Sequence, residues 1–314
     1  MMLVVGGMLA LLAVLAQAGD APPRLAEIAR IAVPNGPKSL RFAPGGRIVV
    51  ANCLYGKRLA VIDAVAKKVT KTIRLPDEPV EIAFMNKRYA WVSQYNTASV
   101  SLVDLAWGKA IRSIRVGSVP KVLEVSDDLR DLFVSNWTSG TVSIIDLSTK
   151  RLRATVKAGR IPRGIAFVGA TAYVAIMGGS TLLKIDRASG RAVGSIKAAL
   201  TPRHVLRAPD GKWLYVSNNL PGTITIIYLP SGKAVGTIKV GKMPRSMALS
   251  PDGRTIYVCN YDSGTLGVVD VASRRQVATY KTNTHPIGVT VSPDGREVWV
   301  SSYCTSVVHV FAQQ

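Results

Sequence analysis

The sequence predicts an all-β fold, a seven-bladed β-propeller, and three observations carry that prediction. Seven prolines, Pro37, Pro79, Pro120, Pro162, Pro202, Pro244 and Pro286, recur every 40 to 42 residues. Each is followed by the same succession of short apolar runs and turns. No linker or low-complexity tract interrupts the series, so the 314 residues form one closed domain rather than two. A strand-built repeat of roughly 40 to 45 residues corresponds to one four-stranded blade, which buries its faces only against its neighbours.

The stretch from Pro244 to Asn260 shows how a blade is written. An inner strand ends at Ser250-Pro251-Asp252-Gly253, where the proline presets φ and the glycine tolerates positive φ. The second strand, Ile256-Tyr257-Val258, runs to Asn260. A third strand, Thr265 to Asp270, is apolar enough to be covered on both faces. The outer strand then alternates polar with apolar residues, as a strand with one wet face does. Phe133-Val134-Ser135-Asn136 and Tyr215-Val216-Ser217-Asn218 repeat the second strand, with degenerate copies at Val50-Ala51-Asn52, Trp91-Val92-Ser93 and Trp299-Val300-Ser301. On these residues the chain resembles the YVTN-type β-propeller repeat family, over roughly residues 25 to 314. The resemblance implies the fold and leaves the function open, since such propellers range from periplasmic binding proteins and surface-layer proteins to quinoprotein subunits and the haem-carrying domain of a nitrite reductase.

An aspartate column, Asp63, Asp104, Asp146, Asp186 and Asp270, follows the third strands. These residues read as Asx-turn acceptors of backbone N–H groups rather than as metal ligands, because Tyr228 replaces the aspartate in the fifth repeat.

The two ends differ from the repeats. Residues 1–18 contain an apolar run closing on Ala16-Gln17-Ala18, the small-x-small pattern of a secretory cleavage site, and residues 19–314 form the propeller domain. Export to the periplasm or beyond follows as an expectation, with no transmembrane segment in the mature, monomeric chain. A retained membrane anchor is the competing reading, since the run lacks a Lys or Arg ahead of it. The seventh repeat stops after a third strand, Val307 to Phe311, while Glu27 to Val33 has the pattern of an outer strand. The N-terminal strand is therefore expected to complete the last blade, which removes both sheet edges.

Forty Lys and Arg against nineteen Asp and Glu give a formal charge of +21. Such a surface attracts anionic small molecules, nucleic acid, glycans or acidic proteins. Many of the charges, among them Lys67, Lys71, Arg74, Lys109, Arg112, Arg115, Arg151, Arg153 and Lys157, fall on outer strands, where they solvate the rim. A second group is more informative. The residue after each repeat proline runs Lys38, Val80, Lys121, Arg163, Arg203, Arg245, Ile287. Propeller symmetry places that column around the channel, so five cations form a lopsided ring suited to an anion; blade-to-blade salt bridges are the structural alternative. Tyr55, Tyr95, Trp137, Tyr261 and Tyr303 follow the second strands, where they either stack on a flat ligand or cap the space between blades.

His204 and His285 flank repeat prolines and are candidates for a ligand, acid or base role near the mouth. His309 completes the histidines. No third metal ligand accompanies them, and no nucleophile elbow, phosphate-cradling glycine loop or other catalytic constellation is evident. Cys53 and Cys304 belong to repeats one and seven, which closure makes neighbours, so a disulfide across the seam is conceivable; Cys259 lies within a second strand. The expected function is that of an exported, non-enzymatic binding protein that needs no cofactor. A cofactor-associated propeller, as a subunit or assembly factor of a quinoprotein or haem enzyme, is the alternative. A propeller lactonase or lyase would need acidic metal ligands in the channel, where Glu81 and Glu124 are the inner-strand acids.

Overall fold

The structure, a computed structural model, describes residues 24–314; the expected signal segment lies outside the described residues. Seven four-stranded antiparallel sheets follow one another around an axis. Blade 1 consists of Pro37–Phe42, Ile48–Cys53, Arg58–Asp63 and Lys68–Arg74, from the channel outward, and the other blades repeat this order. Each inner strand begins at its repeat proline and shifts register within the next three residues. A residue without an N–H suits that place, where the ladder is only starting.

Burial follows the order of the strands. The third strand Ser99–Asp104 is buried throughout, whereas the outer strand Lys109–Arg115 is exposed at five of its seven residues. Thr181–Asp186 is the exception among third strands, with Lys184 half-exposed. The cores lie between blades rather than within them: Trp299 and Val308 of blade 7 pack with Val49, Ala51 and Ile62 of blade 1. Phe42 meets the Trp299 ring edge-on at 5.6 Å, and Phe133 meets Phe167 of the next blade at 5.1 Å.

A further device holds neighbouring blades together. Outer-strand cations reach across to the turn of the next blade: Lys71 donates to the Ala106 carbonyl at 2.7 Å, Arg112 to Lys150 at 3.2 Å and Arg153 to Ala188 at 3.0 Å. Part of the rim charge is thereby structural. The aspartates make the expected turns, with Asp63 Oδ1 accepting from the Val65 and Ala66 amides at 2.8 Å and Asp146 Oδ1 from Ser148 and Thr149. Where Tyr228 replaces the aspartate the turn does change, to a 3-10 turn over Leu229–Ser231, with Gly232 in the left-handed region. Among the described residues no helix is long and apolar enough to cross a membrane.

The N-terminal strand closes the ring as expected. Leu25–Ala32 pairs antiparallel with Val307–Gln313, outside the Pro286–Val291 and Glu297–Ser302 strands of blade 7. At the centre of this seam the Glu27 carboxylate receives Arg30 Nε and Nη2 at 2.8 Å each, and its Oε1 lies 2.6 Å from Nδ1 of the buried His309. The Arg30 hydrogen bonds, opposed by desolvation and helped by His309, hold the Glu27 carboxyl at about 2, below its ordinary 4.5. A depressed carboxylate stabilises the fold fully above its unfolded value and loses that contribution as pH falls through the folded one. Glu27→Gln is therefore expected to shrink the loss of stability between about pH 4.5 and 2. Denaturant titrations followed by circular dichroism across that window check it; an identical acid dependence in the variant would contradict the role given to the seam.

Candidate functional site

One hydrogen bond recurs at the top of every blade. The amide of the residue just after the second strand donates to the carbonyl just before the repeat proline: Leu54 to Gly36, Tyr95 to Glu78, Trp137 to Val119, Met177 to Ile161, Asn219 to Thr201, Tyr261 to Met243 and Tyr303 to His285, at 2.8 to 3.2 Å. This bond staples the second-strand loop over the start of the inner strand. The acceptor residues Val119, Ile161, Thr201, Met243 and His285 hold positive φ values of 50 to 59°, a costly conformation for side chains of that kind that only a firmly held loop sustains.

The column after the prolines then faces the axis. Lys38, Val80, Lys121, Arg163, Arg203, Arg245 and Ile287 line one constriction of about 30 Å3, together with Glu81 and His204 from the layer beneath. Gly164 permits the approach of blades 4 and 5, since a Cβ there would lie 2.8 Å from the Arg203 carbonyl oxygen and from His204 Cα. Lys121, Arg163 and Arg203 are more than nine-tenths buried. Among the described residues none of the five cations forms an ion pair, so the structural alternative of blade-to-blade salt bridges does not apply to them. Glu78 and Asp262 act on Lys121 and Arg245 only through space.

Burial and mutual repulsion destabilise this charge. Desolvation first, then Arg203, Arg163, Lys121 and Arg245, push the Lys38 ammonium well below its ordinary range. Burial first, then Arg163 and Arg203, bring Lys121 from 10.5 to about 7, with Glu78 opposing them. Arg163 falls to about 10 through burial and Arg245, and Arg203 is held well below the ordinary arginine range by burial, Arg163 and Arg245.

Aromatic faces take the place of counterions for four of the five. Lys121 Nζ lies 3.9 Å from the Tyr95 ring centre and 5.2 Å from that of Trp137. Arg163 Cζ is 5.8 Å from Trp137, Arg245 Cζ 3.6 Å from Tyr261, and Lys38 Nζ 5.0 Å from Tyr303, whose hydroxyl donates to that of Tyr55 at 2.7 Å. The five aromatics are therefore brought together with the ring, on the contiguous blades 6, 7, 1, 2 and 3. Blades 4 and 5 carry Met177 and Asn219 in their place. Arg203 sits in that gap. The buried atoms Arg163 Nε, Arg245 Nε, Trp137 Nε1 and Asn219 Oδ1 have no protein partner.

Below the ring the channel widens to a cavity of about 280 Å3. Arg41 and Glu124 span it from blade 1 to blade 3 as a bidentate pair at 2.9 and 3.0 Å, and Arg207 reaches Asp127 at 2.6 Å. Sequence reasoning had singled out Glu124 without Arg41, although both are the fourth residue after a repeat proline. Glu81 and Glu124 both line this channel, yet Glu124 is engaged by Arg41, and among the described residues no three His, Cys, Asp or Glu side chains converge as metal ligands would. His204 lies in the channel beneath the mouth; its Nδ1 accepts the Met247 amide at 3.4 Å, and burial lowers it to about 3, which keeps it neutral. His285 lies instead on the upper face, against Tyr261 at 4.4 Å between ring centres.

The disulfide considered between Cys53 and Cys304 is not formed. All three cysteines are free thiols. Cys53 closes a second strand, fully buried with its Sγ toward the Ala51 carbonyl, whereas Cys304 is exposed in the following loop of blade 7. Its partner is His285 Nδ1, at 3.4 Å.

The family model described as "Lactonase, 7-bladed beta-propeller" matches residues 172–279, less than half of the chain. No curated protein sequence matches it. Among solved structures, a chain of Kuenenia stuttgartiensis hydrazine synthase superposes with a TM-score of 0.81 at 22% identity, covering 90% of this chain and 96% of that one. Likeness at that identity is a likeness of fold.

The Lys121 shift has a signed consequence. Between about pH 7 and 10.5 the unfolded chain binds a proton at Lys121 that the folded chain sheds, so stability rises with pH across that window. Lys121→Met is expected to raise the melting temperature at pH 6 and to flatten the rise above pH 7. Calorimetry at constant ionic strength reads both; a lower melting temperature with an unchanged slope would contradict the account of the ring.

Proposed function

We propose that the chain is an exported binding protein of the YVTN type that holds the acidic group of an anionic ligand in the channel mouth. The observation that carries this reading is a ring of five buried or half-buried cations that has no ion-paired carboxylate among the described residues. A carboxylate, phosphate or sulfate supplies the charge the ring lacks, and the arginine forks suit bidentate binding of such groups. The constriction, about 30 Å3, has room for only about two water molecules, at roughly 10–15 Å3 for each. The acidic group therefore enters while the rest of the ligand remains above, between the aromatic faces of blades 6 to 3. Arg203, without an aromatic face of its own, has its guanidinium left for that group.

The test compares Arg163→Gln/Arg203→Gln/Arg245→Gln with a control that removes three exposed rim charges, Lys68→Gln/Lys197→Gln/Lys239→Gln. Titration calorimetry with pyrophosphate, and salt-dependent binding to heparin, should show a loss of tenfold or more for the ring variant and little for the control, following the cost of charge-assisted hydrogen bonds of about 1.5–3 kcal/mol each. Equal losses would overturn the reading in favour of a diffuse rim effect. Cell fractionation tests export. A visible absorption band in the isolated protein would turn the reading toward a carboxylated flat cofactor, the cofactor-associated alternative.

A further inference from the structure

The upper face holds a second chemical group that anion binding does not use. Cys304 and His285 come from one blade, yet the thiol follows the second strand and the imidazole precedes the repeat proline. The amide of Tyr303, next to Cys304, donates to the carbonyl of His285 at 3.1 Å, and this loop staple brings the side chains together. Cys304 Sγ lies 3.4 Å from His285 Nδ1. The imidazole packs on Tyr261 at 4.4 Å, and the other contact of that ring is the Arg245 guanidinium at 3.6 Å. Arg245, Tyr261, His285 and Cys304 thus form a continuous stack from the cationic mouth to an exposed thiol. Arg163, in the same mouth, is more than nine-tenths buried with its Nε unpartnered.

We infer that Cys304 and His285 form a thiol–imidazole dyad that captures anionic disulfides drawn to the channel mouth. Two observations distinguish this cysteine from the others. Cys53 and Cys259 are fully buried, and burial raises both thiols, Cys53 to about 12. Cys304 alone is exposed and hydrogen-bonded to a base. In the reaction His285 Nδ1 takes the Cys304 proton and the sulfur attacks one sulfur of the disulfide. A new S–S bond forms as the old one breaks, and the departing thiolate takes the proton back from the imidazolium. The products are a mixed disulfide on Cys304 and one free thiol. With Cys53 and Cys259 buried, no protein thiol is placed to resolve the mixed disulfide, so a second external thiol must discharge it. The nucleophilic role rests on the dyad alone; the preference for anions rests on the proposed function of the ring.

Three probes separate these two claims: neutral iodoacetamide, the neutral disulfide dithiodipyridine and the dianionic disulfide dithiobis(nitrobenzoate). In the folded full chain one thiol is expected to react rapidly, and peptide mapping should place it at Cys304 and show none in Cys304→Ser. His285→Asn keeps a side chain that tolerates positive φ but cannot take the proton. It should slow iodoacetamide about tenfold or more, within the range that positioned acid–base groups contribute. His285→Gly, which accepts the same φ, should do likewise if the Asn variant melts early. The triple arginine variant of the ring should abolish a roughly tenfold or greater preference for the dianionic over the neutral disulfide, read as the ratio of the two rates in the same protein. Unchanged alkylation in both His285 variants would overturn the dyad. A dianion preference that survives the loss of the ring arginines would leave the dyad standing and count against the ring as the anion site.

Discussion

Closure of seven blades around one axis is the constraint on which everything else depends. Inner strands some forty residues apart in sequence become neighbours, so any position in the repeat is presented as a circle. A cation in that column meets its own copies wherever it points. The seam between Leu25–Ala32 and Val307–Gln313 keeps the circle shut, and the blade-to-blade cores give it stiffness. Without that closure the five cations would separate and hydrate, as charges on an open sheet do.

The ring is therefore an arrangement in which fold stability opposes binding readiness. Desolvated like charges cost free energy, and here no carboxylate offsets them at ion-pair distance. Aromatic faces recover part of that cost, at about 0.5–2 kcal/mol for each cation–π contact. The staple between the second-strand loop and the residue before each proline sets the aromatics in place. Beneath the ring, Arg41–Glu124 and Arg207–Asp127 neutralise each other. Among the described residues the five cations of the mouth keep no such partner, and Arg203 lacks even an aromatic face, since blades 4 and 5 carry Met177 and Asn219 in that place.

Legibility in the sequence followed periodicity. The prolines, the Asx aspartates, the strand that closes blade 7 and the column of five cations each recur at the repeat spacing, and symmetry converts recurrence into position. The aromatics were legible for the same reason. Features that couple different columns were not. Arg41–Glu124 crosses the channel, His309 meets Glu27 across the seam, and Cys304 meets His285 between two loops. Only the Arg41–Glu124 pair left a trace, since both residues occupy the same place in their repeats. The conceivable pairing of Cys53 with Cys304 is not made because the two cysteines do not occupy the same place: one ends a strand and points inward, the other lies in the loop beyond it. His204, two residues after Pro202, and His285, just before Pro286, diverge likewise, into the channel and onto the upper face.

Heavy halide placement probes the proposed anion site in the channel mouth. Crystals grown in bromide and measured at the bromine edge should show a dominant anomalous peak within reach of Arg163, Arg203 and Arg245. Peaks confined to the outer rim, with none at the mouth, would contradict the account.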